Sequence, residues 1–121
     1  MVHIGNIRDI TDKRKIMITV GKPSNSIEWI PELGPKDWAW VNAHKNAHND
    51  PETLQILNQQ YIDRLENNFD FIKPLINELD NILFCCYCPM SNQFCHLKVF
   101  KKWLERKIYD NKNNTEMDQG S

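Results

Sequence analysis

A chain of 121 residues with 40% apolar content can form one hydrophobic core without disulfides or a metal, so a single globular domain is expected. Its 15 basic and 16 acidic residues nearly cancel, which argues against nucleic acid as a partner, because a polyphosphate binder carries a basic excess on some face. There is no run of about 18 apolar residues to span a bilayer, and the first residues lack the apolar stretch of a signal peptide. The expectation is a cytoplasmic protein with no membrane partner.

Met1 to Ile4 is a small apolar segment ending at Gly5-Asn6, and Lys15 to Val20 is a β-branched run ending at Gly21-Lys22-Pro23. Both read as strands. The charged stretch between them contains Lys13-Arg14-Lys15, which reads as a solvated turn, with a phosphate site as the alternative. From Pro23 to Pro35 three prolines block regular structure, and Ile27, Trp29, Ile30 and Leu33 should anchor an irregular loop. A short helix is predicted from Pro35 or Lys36 to about His44. It carries Trp38 and Trp40, which with Trp29 form either a packed lid over the sheet or a stacking surface for a ring.

Asp50-Pro51-Glu52 is a helix start, with Asp50 capping, Pro51 at the first position and Glu52 favouring the dipole. Leu54, Leu57, Tyr61 and Leu65 then make one buried stripe on a helix ending near Asn67-Asn68. A further helix is predicted from Phe69 to Asp80, with Phe71, Ile72, Leu75, Ile76 and Leu79 inward and Pro74 in its first turn or bending it. Ile82-Leu83-Phe84-Cys85-Cys86 is an unbroken apolar run, too short for a helix, and reads as a buried strand. After a turn at Pro89-Met90-Ser91-Asn92, Leu97, Phe100, Leu104 and Ile108 mark the inner face of a last helix. The expected domain covers residues 1–109, and the polar residues 110–121 should be a disordered tail. The fold class is α/β, a small single-domain Rossmann-like sheet of about three to four mostly parallel strands covered by helices.

Chemistry concentrates where the last strand gives way to the last helix. Four cysteines without an export signal read as thiols rather than a stapled framework. One reading is a zinc site made of Cys86, Cys88, Cys95 and His96, although their spacing does not reproduce paired C-x-x-C knuckles. A second is a catalytic thiol, Cys95 activated at a helix N-terminus beside His96. A third is a pocket without cofactor, with Cys86 and Cys95 as small apolar walls, while His96 and backbone N–H groups hold a polar or anionic ligand. The fourth is simple burial of all four thiols. His3, His44 and His48 have no partners at diagnostic spacing and read as surface or packing residues. Phosphate-loop, calcium-loop, G-x-S-x-G and H-E-x-x-H patterns are absent.

The order Leu83-Phe84-Cys85-Cys86-Tyr87-Cys88, then Phe94-Cys95-His96, then Trp103-Leu104-Glu105, resembles the uncharacterised bacterial and phage proteins grouped as domain of unknown function 488. The Cys-Tyr-Cys form is closer to the Cys-Trp-Cys of the related family 4326. Abundant asparagine and isoleucine with scarce glycine agree with an AT-rich source such as a bacteriophage or a low-GC bacterium. Weaker likeness upstream, at Gly5-Asn6-Ile7-Arg8, Ile16 to Val20, and Leu33-Gly34-Pro35 leading to Lys45, extends the coverage to about residues 2 to 108. Leu97 stands where that family carries arginine, and Cys88 where its larger branch carries glutamate. The resemblance implies a two- or three-layer α/β domain with a pocket at the strand ends.

Three functions follow as expectations. The first is binding of a nucleotide-like or small anionic molecule between the Gly5-Asn6 turn, the Gly21-Lys22 turn and the Cys95-His96 helix start, with Asn6, Lys22, Trp38, Lys45, Cys86 and Cys88 as ligand-binding residues. The second is a non-enzymatic protein-interaction module, such as a phage-encoded modulator of a host factor, anchored by exposed tryptophans. The third is a zinc-binding domain.

Overall fold

In the computed structural model, residues 1–24, 26–87 and 95–120 are described, residues 111–120 through their backbone alone. Four short strands form one parallel sheet: β1 (His3–Asn6), β2 (Arg14–Met17), β3 (Glu28–Trp29) and β4 (Ile82–Cys86). Their order is β1-β4-β2-β3, so the last strand in sequence is inserted between the first two. All five residues of β4 are buried, as expected for a strand with a neighbour on each edge and cover on both faces.

Side chains alternate across the sheet. Ile82, Phe84 and Cys86 join Val2, Ile16 and Ile18 in the main core, under the helices α1 (Trp38–Asn46), α2 (Pro51–Asn67) and α3 (His96–Gly120). Leu83 and Cys85 point the other way and pack with Met17, Ile7, Ile27 and Trp29 in a smaller cluster. Helices therefore cover one face and connecting loops the other, which makes a two-layer domain.

Local chemistry sets the helix starts. The Asp37 carboxylate accepts the Trp40 N–H at 2.8 Å and opens α1. Asp50 accepts from the Thr53 N–H and hydroxyl and opens α2. The Leu57, Tyr61 and Leu65 stripe is buried, and the Tyr61 hydroxyl donates to the Leu33 carbonyl at 2.6 Å. Arg64 donates to the carbonyls of Gly34 and Pro31. These bonds draw the proline-rich loop against β2, where a Cβ on Gly34 would lie 2.9 Å from the Ile18 and Thr19 backbone. Only glycine fits so close an approach.

Several boundaries differ from the sequence reading. The segment after Pro23 contains β3 and a 3-10 turn at Pro31–Leu33, because two residues between prolines still reach the free edge of β2. The stretch Phe69 to Asp80 is two 3-10 segments, Phe69–Phe71 and Lys73–Asn81, rather than an α-helix. Pro74 has no N–H, and its ring opposes the Asp70 carbonyl four residues back, so an α ladder begun at Phe69 cannot run through it. Ile72, Leu75 and Leu79 are buried as expected, whereas Phe71 is exposed. The backbone of α3 is helical through residues 110–120, the stretch whose polarity predicts disorder; extending a nucleated helix costs little per residue.

Candidate functional site

The carboxyl ends of β1, β4 and β2 lie side by side, with Asn6 opposite Cys86 and Met17 opposite Cys85. The chain leaves these strands in different directions. The connection after β1 carries Ile7 onto the loop-covered face, whereas Ile18, directly after β2, stays in the main core and Ile27, just before β3, returns to the loop-covered face. The chain after β4 returns on the helical face, where Leu97, Phe100 and Leu104 of α3 enter the main core. Of the two neighbours of β4, β1 thus departs on the face opposite to the continuation of β4, and the carboxyl ends of the strands are the usual ligand position in open α/β sheets.

Hydrogen bonds tie the strand ends together on each side of β4. Toward β1, the Ile7 N–H donates to the Cys86 carbonyl at 3.0 Å and the Asn6 side-chain amide to the Tyr87 carbonyl at 3.1 Å. Toward β2, the Ile18 N–H donates to the Cys85 carbonyl at 3.2 Å. His96, the first residue of α3, donates from Nε2 to the Ile18 carbonyl at 2.7 Å. A carbonyl can only accept, so Nε2 carries the proton. That bond joins the start of α3 to the end of β2 across β4.

Beneath it lie the thiols. Cys86 and Cys95 bring their sulfurs to 3.4 Å, and their residues are 1% and 3% exposed. Tyr61 sits edge-on to His96 at 5.8 Å between ring centroids, with Trp40 on its other side at 5.5 Å. Burial, then the charge of a Cys95 thiolate, hold the Tyr61 phenol well above its usual range; Arg64 acts in the opposite direction and Cys86 adds to the rise. Cys85 faces away from this group, its thiol pushed up to about 11 by burial, with Lys15 opposing and Asp9 reinforcing the shift.

The residues expected at the site fall into two groups, one at the β1 and β4 ends with the start of α3 and one around Gly21. Asn6 lies at the β1 end, Cys86, Cys95 and His96 at the β4–α3 junction, and Trp38 against Gly21, whose Cβ would be 3.1 Å from the indole ring. Lys22 is exposed at that turn, beside Thr19, whose hydroxyl donates to the Gly21 carbonyl at 2.9 Å. Lys45 is exposed seven residues beyond Trp38 in α1, hence on the same helix face and about 10 Å along the axis. Cys88 and the turn Pro89 to Asn92 lie outside the described residues.

The three tryptophans do not form one exposed patch. Trp38 is 57% exposed, but Trp40 is buried, stacked on His44 and bonded to the Leu57 carbonyl, and Trp29 donates to the Thr19 carbonyl. His44 is likewise a packing residue, donating to the Asn58 side-chain oxygen at 2.8 Å. Among the described residues no three histidine, cysteine or acidic side chains gather as metal ligands, and no helix is long and apolar enough to cross a membrane.

Two participants were not singled out by the sequence. Thr19 gave no signal beyond its place at a strand end. Tyr61 did: it is the one member of the α2 stripe with a polar tip, and a buried phenol needs an acceptor. A family-model scan, a search of curated proteins and a search of solved structures each returned no match to this chain.

Proposed function

We propose that the protein binds a small anionic, nucleotide-like ligand at the carboxyl ends of β1, β4 and β2, against the start of α3. The observation that carries this reading is the meeting of the β1, β4 and β2 carboxyl ends with the start of α3, tied by the His96 bond to the Ile18 carbonyl. The first N–H groups of α3 and the positive end of its dipole favour negative charge there. Lys22 supplies a mobile cation at the rim. Trp38 offers an exposed indole face for a base or ring while its other side rests on Gly21. Lys45 extends the positive rim along α1, and Asn6 shapes the side toward β1.

Cys86, Cys95 and His96 serve this reading as structure rather than as reacting groups. Their burial makes the thiols walls, and the bond to Ile18 fixes the imidazole at the helix entry. No bond-breaking step is assigned to the site.

Calorimetric titration with adenosine monophosphate and with inorganic phosphate tests the reading. Saturable binding of the nucleotide is expected, weakened roughly tenfold by Lys22→Ala, the equivalent of one charge-assisted contact at about 1.4 kcal/mol. Trp38→Ala should weaken the nucleotide and leave phosphate unchanged. Absence of binding by either probe, or binding indifferent to both substitutions, would contradict the proposal.

A further inference from the structure

Cys86 and Cys95 come from different elements, nine positions apart, yet their sulfurs stand 3.4 Å from each other. The backbone of Cys86 is held in the centre of the sheet, paired with Asn6 and bonded to the Ile7 N–H. Cys95 directly precedes α3, with its carbonyl accepting the Lys98 N–H at 3.1 Å. A disulfide requires the sulfurs to approach to about 2.05 Å. The remaining approach of the sulfurs is little more than 1 Å. Cys85, adjacent in sequence to Cys86, is on the opposite face of the sheet and donates to the Leu83 carbonyl. The fold therefore separates one thiol from a matched pair.

We propose that Cys86 and Cys95 are a redox site, converted by hydrogen peroxide into a reversible disulfide between the end of β4 and the start of α3. The site is distinct from anion binding, and it stands on the thiol geometry whether or not the strand ends hold a ligand. Burial selects the oxidant: a molecule close to water in size reaches thiols that are 1% and 3% exposed more readily than a bulky disulfide does. Cys95 is the attacking sulfur, because it directly precedes α3, where the positive end of the helix dipole favours a thiolate.

The thiolate of Cys95 attacks one peroxide oxygen and the O–O bond breaks. The departing hydroxide takes up a proton to become water, and Cys95 is left as a sulfenic acid. The Cys86 sulfur then attacks the Cys95 sulfur, forming the S–S bond and breaking S–O. The second hydroxide leaves with the Cys86 proton as water. Both sulfurs are oxidised and one peroxide is reduced to two waters. A dithiol reductant reverses the change by thiol–disulfide exchange and becomes a disulfide itself.

The experiment treats the full chain with peroxide at equimolar amount, alkylates it in denaturant and digests it without reduction. Trypsin does not separate the thiols, because no lysine or arginine lies between Lys73 and Lys98; chymotrypsin cuts after Tyr87 and Phe94 and does. The expected result is loss of two hydrogens, a Cys86–Cys95 linked peptide that disappears with dithiothreitol, and Cys85 alkylated equally before and after. Cys85→Ser should retain the link, and Cys86→Ala should leave a sulfenic acid on Cys95 that dimedone traps. If a variant does not fold, the wild-type digest still decides. A link through Cys88 instead, oxidation without a link, or stoichiometric zinc on Cys86 and Cys95 in the purified protein would overturn the proposal.

Discussion

The Tyr61 hydroxyl is the polar atom on which the site's inner wall depends, since it donates to the Leu33 carbonyl from a position 2% exposed. Tyr61→Phe removes the donor and leaves that carbonyl unsatisfied, a cost of about 1–3 kcal/mol read as a lower urea midpoint. Cys85 makes a separate prediction in alkali. Its folded pKa is raised from 9.0 to about 11, so the native thiol stays neutral where the unfolded one ionises. Its contribution is complete below pH 9 and is lost as pH rises toward 11. Urea titrations across that window should show falling stability, with a shallower fall in Cys85→Ala; the Tyr61 phenol, also raised, adds to the slope at its upper end. At this scale much was legible. The alternation that sends Cys85 and Cys86 to opposite faces follows from the period of a strand, but the meeting of Cys86 with Cys95 depends on how the chain between them turns, which no local pattern encodes.

Glu66 ties α2 to α3 through polar contacts. Its carboxylate accepts from Lys107 at 2.6 Å and from the Trp103 indole at 3.0 Å, and these two bonds, Lys107 first, hold its pKa below the usual carboxylate value. A lowered pKa gives stability that is present above the unfolded carboxylate range and lost as pH falls through the folded value. The site is 43% exposed, so solvent screening limits the effect to about 0.5 kcal/mol. Glu66→Gln should lower the melting temperature slightly at neutral pH and match the parent in acid. Helix starts at this scale were readable from Asp50-Pro51 because capping is local chemistry. The 3-10 geometry after Phe69 was hidden, since an apolar spacing of three to four fits both helix types and only the constraint at Pro74 separates them. The two-residue β3 was hidden too: nothing within Glu28-Trp29 records that β2 has a free edge beside it.

For the whole molecule, α/β class and the strand-to-helix junction at residues 82–97 could be read from composition and run length. Strand order could not. The placement of β4 between β1 and β2 arises from a long connection that carries α1, α2 and the 3-10 segments over one face, and this order sets the three strand ends beside the start of α3. The proposed ligand binding depends on that topology, so the most direct test follows backbone amides along the strand ends. In a two-dimensional NMR titration of the isotopically labelled protein with adenosine monophosphate, the largest saturable shifts should fall on Asn6 and Ile7, Thr19 to Lys22, the Trp38 indole, and Cys95 to Leu97. Shifts confined to the outer faces of α2 and α3, or none at saturating nucleotide, would contradict a site at the ends of the strands.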